Sequence, residues 1–213
     1  SNVDHIKAVI TRQQSQAKQA LGVVESVSLA SLVDEALKLA LPRNPSAEGQ
    51  PARAINIVRS YEDLPRVKVD RHKLFQTLTN LLGNARDAIE TAGLGDGASE
   101  RRGPGCVTVE IKRAGAMRFA IEISDNGCGI LAEDLARIFT FGFSTKPGGH
   151  GFGLHASAIA TAEMGGTLTA HSAGLSQGAT FRIELPFRAP GSGTGSEDFS
   201  SSLETTPVPE SAP

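Results

Sequence analysis

Apolar positions recur along the chain in two rhythms, the three-to-four spacing of helices and the alternation of strands. Over residues 3–24, Ile6, Ile10, Gln13, Ala17, Ala20 and Val24 follow a 4-3-4-3-4 spacing that predicts a helix with one narrow seam. Such a helix either packs on its own domain or pairs in a two-helix or dimeric bundle, and the narrow seam of small residues favours the bundle. Ser28 is placed to cap a second helix from Leu29 to about Leu41, whose Leu29, Leu32, Val33, Ala36, Leu37 and Ala40 share a face until Pro42 and Pro45 end it. After a polar loop over 43–54, Ile55, Ile57 and Val67-Lys68-Val69 predict short strands on either side of the Glu62-Asp63-Leu64-Pro65 turn. Asp70 then caps a long helix in which Leu74, Leu78, Leu81, Leu82, Ala85, Ala88 and Ile89 line one face up to Gly93.

A glycine-rich loop over 93–105 leads into two alternating segments, Cys106 to Lys112 and Arg118 to Ser124, which predict a hairpin turning near Gly115. A helix from Ala132 to Phe139, the loop TFGFSTKPGGHG, a helix to about Met164, a strand Thr167 to Ser172, a turn at 174–178 and a strand Thr180 to Pro186 complete the pattern. From residue 188 to 213, Gly, Ser, Thr, Pro and Glu dominate, and so polar a stretch is expected to be a disordered tail. The expected divisions are therefore 1–26, the seam helix; 27–187, the globular domain; and 188–213, the tail.

Composition narrows the function classes. The 213 residues are 39% hydrophobic, ordinary for a globular protein, with a formal net charge of -2, one Tyr and no Trp. No basic field or interleaved aromatic patch is present, which argues against nucleic acid as a partner. Cys106 and Cys128 lack the spacing of a zinc site and read as thiols of a reducing compartment, consistent with a cytoplasmic location. No apolar run reaches the ~20 residues that span a bilayer, and no signal sequence opens the chain, although a membrane-associated parent protein stays open. Ser1-Asn2 reads as a cloning scar, and hence the chain as an excised piece.

Three segments carry candidate chemistry. In NLLGNARDAI, Asn80, Asn84 and Asp87 fall at i, i+4 and i+7 on one helical face opposite the leucines. Magnesium takes few protein ligands when phosphate supplies the rest, so the amide oxygen of Asn84 is the candidate metal ligand. In DNGCGI, Asp125 ends a strand, and its ionised carboxylate matches the exocyclic amine of adenine and repels the carbonyl of guanine. Gly127 and Gly129 let backbone approach the base. In GGHGFGLH, glycines open a helix whose N-terminal amides favour phosphate, and Lys146 can add a mobile charge at the terminal phosphate. Singly these are weak signals: an Asn on a solvated face, an ordinary DNG turn, and a glycine loop that no GKS or GKT follows. His150 and His155 read as loop or cap residues, and Cys128 as a neutral filler between glycines.

Together the segments NLLGNARDAI, DNGCGI, FTFGFSTK and GHGFGLH, with Gly178-Ala179-Thr180-Phe181, resemble the N, G1, F and G2 boxes and last glycine box of the GHKL nucleotide-binding superfamily. The likeness is to its sensor histidine kinase branch and covers residues 55–187, with residues 3–24 similar to the second helix of a dimerisation and phosphotransfer domain. It implies a Bergerat-type α/β sandwich, a mixed sheet against helices, with nucleotide beneath a lid formed by residues 140–150. By the same resemblance the cofactors are ATP and Mg2+. Asn84 holds the metal, Asp125 reads adenine, Gly127 and Gly129 shape the base pocket, and Gly149, Gly151 and Gly153 flank the phosphates. Asp87, Ile130, Thr145, Leu154 and Thr180 complete the nucleotide contacts, and Asn80 and Lys146 are the candidate catalytic residues.

Asn80 discriminates within the superfamily, since hydrolytic members carry Glu there and an amide cannot act as a general base. The resemblance therefore implies γ-phosphate transfer to a histidine, a homodimer, and relay to a response-regulator receiver domain. Two departures stand out. Asp87 replaces a basic residue, leaving Lys146 or Arg86 to supply charge. The phosphoacceptor signature of His, acid and proline is also missing, because His5 is followed by Ile6 and Lys7. The alternatives are an ATP-gated protein-binding module and a GHKL ATPase.

Overall fold

A computed structural model describes residues 23–41, 55–93, 104–146 and 149–188. The expected helix over residues 3–22 and the tail beyond 188 lie outside the described residues.

The chain enters through strand β1 (Val24–Val27), and Ser28 then accepts from the Ser31 amide at the start of helix α1 (Leu29–Ala40). All six predicted apolar positions of α1, from Leu29 to Ala40, are buried. Strand β2 (Ile55–Tyr61) and strand β3 (Val67–Asp70) follow, then the central helix α2 (Arg71–Gly93). Asp70 caps α2 as its position predicts, its Oδ1 accepting from the Lys73 amide at 3.0 Å. Replacing Asp70 by alanine is expected to cost about 1 kcal/mol, measured by denaturant unfolding, because this orphan donor loses its acceptor.

Helix α2 is held by its leucines. Leu74, Leu78, Leu81, Leu82, Ala85 and Ile89 are all buried, against α1 on one flank, helix α4 (Gly153–Glu163) on the other and the sheet beneath. The sheet is five-stranded and mixed. Its order is β2, β4 (Gly105–Arg113), β5 (Arg118–Asp125), β7 (Ala179–Pro186), β6 (Thr167–His171), with β2 parallel to β4 and the other neighbours antiparallel. Alternation in β4, β5 and β7 sends Val107, Val109, Ile121, Ile123, Phe181 and Ile183 into the core. On the other face, charges alternate in sign. Lys112 reaches Glu122 at 2.7 Å, Glu122 also pairs with Arg182, and Glu184 pairs with Arg182 at 3.0 Å and Arg118 at 2.7 Å. The arrangement is the two-layer α/β sandwich that the sequence predicts.

Two expectations are corrected. Val24, counted as the last seam position of the first helix, lies in β1, which pairs antiparallel with β3 from Val24↔Asp70 to Val27↔Val67. The strands expected on either side of the Glu62–Pro65 turn are present, and they go to different sheets, β3 joining β1 in a separate two-stranded sheet while β2 forms an edge of the large one. Alternation marks a strand but does not name its neighbour. The helix expected over 132–139 regularises only as α3 (Ala132–Leu135), and turns carry the chain onward. Ile138 is the one buried residue of that stretch, too little apolar surface to hold a longer helix. Among the described residues, no helix is long and apolar enough to cross a membrane.

Candidate nucleotide site

The amide and carboxylate residues of α2 point toward α4 and the loop before it. Asn80 donates through Nδ2 to Ser157 Oγ of α4 at 2.9 Å. Its Oδ1 lies 2.4 Å from where a Cβ on Gly153 would stand, so the glycine-box helix starts directly against the first asparagine. One turn further, Asn84 Oδ1 and Asp87 Oδ2 both accept from the Lys146 ammonium, at 2.9 and 2.7 Å. The other carboxylate oxygen, Asp87 Oδ1, accepts from Arg86 Nη2 at 3.0 Å and Nε at 3.2 Å. Burial works against ionisation of Asp87, but the hydrogen bonds and charges of Lys146 and then Arg86 outweigh it, and its carboxyl is held below the usual carboxylate range.

The end of β5 supplies the third element. Asp125 is largely shielded from water, and its Oδ1 accepts from the Gly127 amide at 2.8 Å, with the Ala179 amide a second donor. Desolvation dominates these bonds and pushes its carboxyl up to about 6. Gly127 is required by close approach. A Cβ there would stand 2.6 Å from the carbonyl carbon of Ala88, and the next residue, Cys128, donates its amide to Ala88 O at 3.0 Å. The turn after Asp125 is thus clamped to α2 one helical turn beyond Asn84, and the two ends of the site share one stretch of helix.

A second clamp comes from the β6–β7 connection. The Ile130 amide donates to Ser172 Oγ at 3.0 Å, Ser172 Oγ donates to Gly178 O at 2.6 Å, and the Ser176 amide donates to Cys128 O at 2.6 Å. The loop preceding α4 folds on itself. Gly142 donates to Gly151 O at 3.3 Å, Phe141 stacks on Phe152 with ring centroids 4.8 Å apart, and His155 Nδ1 meets Phe139 O at 2.9 Å, joining α4 to the turn after α3. Gly149 packs against Ser144 and Lys146.

Of the predicted residues, the structure brings Asn80 and Gly153 together, Asn84, Asp87 and Lys146 together, and Asp125 with Gly127. Gly129 faces Gly174 and Gly151 faces Phe143, while Ile130 and Leu154 pack on the core beneath and Thr145 is exposed on the loop. Thr180 is not brought to the site. It lies opposite Ser124, their hydroxyls 2.8 Å apart, on the face of β7 that also carries Arg182 and Glu184. Its neighbour Ala179 faces the helices and sits directly opposite Asp125. Sequence reasoning also missed Ser157 and Ser172. No local pattern marks them, because each acts on a residue remote in the chain.

The residues fit a magnesium ion. Two uncharged-or-anionic oxygens already converge on one cation, and hard oxygen donors are what magnesium selects. Among the described residues no cluster of three His, Cys, Asp or Glu forms a metal cage.

A mixed sheet under three helices, with an amide and a carboxylate on the central helix, a buried aspartate at a strand end and a glycine loop opening the next helix, defines a nucleotide-binding α/β domain. Residues 69–189 match the family described as histidine kinase-, DNA gyrase B-, and HSP90-like ATPase, more than half of the chain, and the chain belongs to that family. It is 30% identical over 184 residues to the sensor histidine kinase ZraS of Klebsiella oxytoca, covering 86% of this chain and 36% of that one. It is also 32% identical over 193 residues to the signal transduction histidine-protein kinase AtoS of Escherichia coli K12, covering 90% and 29%. The chain thus spans about a third of the length of these curated relatives. Among solved structures it is similar to full-length ShkA in complex with AMPPNP, with a TM-score of 0.63 and 27% identity over 78% of this chain and 32% of that one. The mycobacterial sensor histidine kinase MprB shares the fold, with a TM-score of 0.61 at 24% identity over 78% of this chain and 99% of that one.

Proposed function

We propose that this chain is the ATP-binding catalytic portion of a sensor histidine kinase, transferring the γ-phosphate of Mg-ATP to a histidine on a dimerisation helix. The observation that carries the reading is the convergence of Asn84 and Asp87 on one cation, on the same helix that clamps the Asp125 turn. Asp125 accepts from the adenine amine, and the Gly127 and Ala179 amides fix its carboxyl beforehand. Asn84 and Asp87 would hold the metal, which when bound neutralises charge on the phosphates. Lys146 adds a further positive charge from the loop before α4, and the amides at the start of α4 face the phosphate end.

Asn80 positions rather than abstracts. Its amide has no basic site, and its Nδ2 is engaged by Ser157, so the proton of an attacking water has no acceptor at this position. A nucleophile that carries its own lone pair, an imidazole nitrogen, meets that requirement. The chemistry is then orientation and charge stabilisation of a loose phosphoryl transition state. The partners expected are a second copy of the longer protein through the N-terminal helix and a response-regulator receiver domain, in the compartment that supplies ATP, the cytoplasm.

Two measurements test this. Calorimetric titration is expected to show Mg-ATP binding that Asn84→Ala weakens about tenfold or more, with most of the magnesium dependence gone. Mixed with the separately made phosphoacceptor helices of its parent, the chain is expected to transfer label from γ-labelled ATP to histidine. ATP-dependent association without transfer would replace the kinase with a binding module, and steady phosphate release would replace it with an ATPase.

A further inference from the structure

The Lys146 contact does more than close a loop. Its ammonium sits between the same two oxygens that the nucleotide reading gives to the metal, Asn84 Oδ1 at 2.9 Å and Asp87 Oδ2 at 2.7 Å. The Asp87 carboxylate is aimed by something other than Lys146. Arg86 donates to Asp87 Oδ1 through Nη2 and Nε, and its Nη1 donates to Ala40 O at the end of α1, at 3.2 Å. The carboxylate is therefore oriented from behind, by an arginine anchored to the neighbouring helix, with its second oxygen turned toward Asn84. That is a prearranged seat for a cation.

We propose that the Asn84–Asp87 pair is an exchangeable cation seat in which Lys146 is a tethered occupant, displaced by the magnesium that arrives with nucleotide; this rests on the nucleotide reading above. Two cations cannot share the seat, since like charges at such separations repel strongly where water is partly excluded. Entry of the metal therefore releases Lys146, and the triphosphate that accompanies the metal gives the displaced ammonium an anionic partner that recovers part of the ion pair it leaves. The loop that carries Lys146 is thereby tied to α2 without nucleotide and to the phosphates with it. Asp87, which stands where a basic residue is usual in the resembled kinases, acquires a role: it retains the lysine that takes over the basic function. Arg86 is a positioning residue for Asp87.

The test pairs Lys146→Met with Asp87→Asn. Without nucleotide or magnesium, both are expected to raise amide hydrogen exchange in residues 140–146 relative to wild type by about fivefold, the scale of a partly exposed ion pair. In calorimetric titrations of ATP at graded magnesium, the two move in opposite directions. Lys146→Met lowers the magnesium needed for half-maximal binding by about fivefold, because its competitor is gone, whereas Asp87→Asn raises it. A lysine that only touches phosphate leaves exchange in the nucleotide-free chain unchanged and does not lower the magnesium requirement, and that result with Lys146→Met overturns the seat. If wild type binds no Mg-ATP at all, the nucleotide reading itself fails, whatever the exchange experiment gives.

Discussion

Asp125→Ala is expected to bind Mg-GTP about as well as Mg-ATP, whereas the wild-type chain prefers ATP by about ten- to hundredfold. The estimate follows from one hydrogen bond to a charged, shielded acceptor, worth about 1.5–3 kcal/mol, that the adenine amine makes and the guanine carbonyl cannot. Alanine removes the acceptor and the repulsion together, so ATP loses affinity and GTP gains some. The carboxyl has capacity to spare for a ligand, since the Gly127 and Ala179 amides occupy only part of its acceptor sites. Competitive titration of the two nucleotides reads the ratio directly, and an unchanged ratio in the variant would show that some other group reads the base.

The same carboxyl makes that preference depend on pH. Its value is raised to about 6, so the ionised acceptor dominates above pH 6 and is progressively lost below it. The ATP/GTP ratio, in which titration of the phosphates cancels, is expected to fall as pH drops through 6, and Asp125→Asn is expected to flatten the profile. The sign for folding is opposite. A carboxyl whose value rises on folding binds its proton more tightly in the folded state, so its contribution to stability is present below the ordinary value near 4 and is lost as pH rises through 6. With Asp125 in the proposed role, stability and base selection pull this residue in opposite directions.

Helix α2 was legible because its buried positions, Thr77 apart, are large aliphatics or alanine at helical spacing, and because Asp70 marks its start. The β4–β5 hairpin was legible from plain alternation with a turn at Gly115. What stayed hidden is what depends on partners distant in sequence. Strand β1 has four residues and one buried side chain, and only β3, forty residues later, makes it a strand. Thr180 shows a different kind of miss, because its sequence did hold the answer. Phe181, Ile183 and Leu185 are apolar and Arg182 and Glu184 charged, so alternation places Ala179 with the inner set and Thr180 with the outer one. Reading the glycine box by resemblance alone passed over that phase. The Asn80–Ser157 bond joins residues 77 apart, and no spacing rule reaches so far.

Gly178→Ala is expected to be the most damaging single-methyl substitution in the site, lowering stability by about 3 kcal/mol and weakening base selection with it. Two costs add. The backbone at Gly178 has φ +70, a conformation that costs a residue with a Cβ about 1–2 kcal/mol. A Cβ there would also stand 1.9 Å from the carbonyl oxygen of Asp125, which is backbone at the end of a central strand and cannot rotate away. Relief requires parting β5 from β7 where Asp125 faces Ala179, and that shift also moves the amide that donates to the carboxyl. Gly115 isolates the first cost, because its φ is +84 yet a Cβ there meets nothing within 4 Å. Gly115→Ala is accordingly expected to cost about 1 kcal/mol and to leave the ATP/GTP ratio untouched. Denaturant unfolding of the two variants beside wild type measures the difference, and equal losses would mean that the strand ends part freely and that the close approach at Asp125 carries no energy.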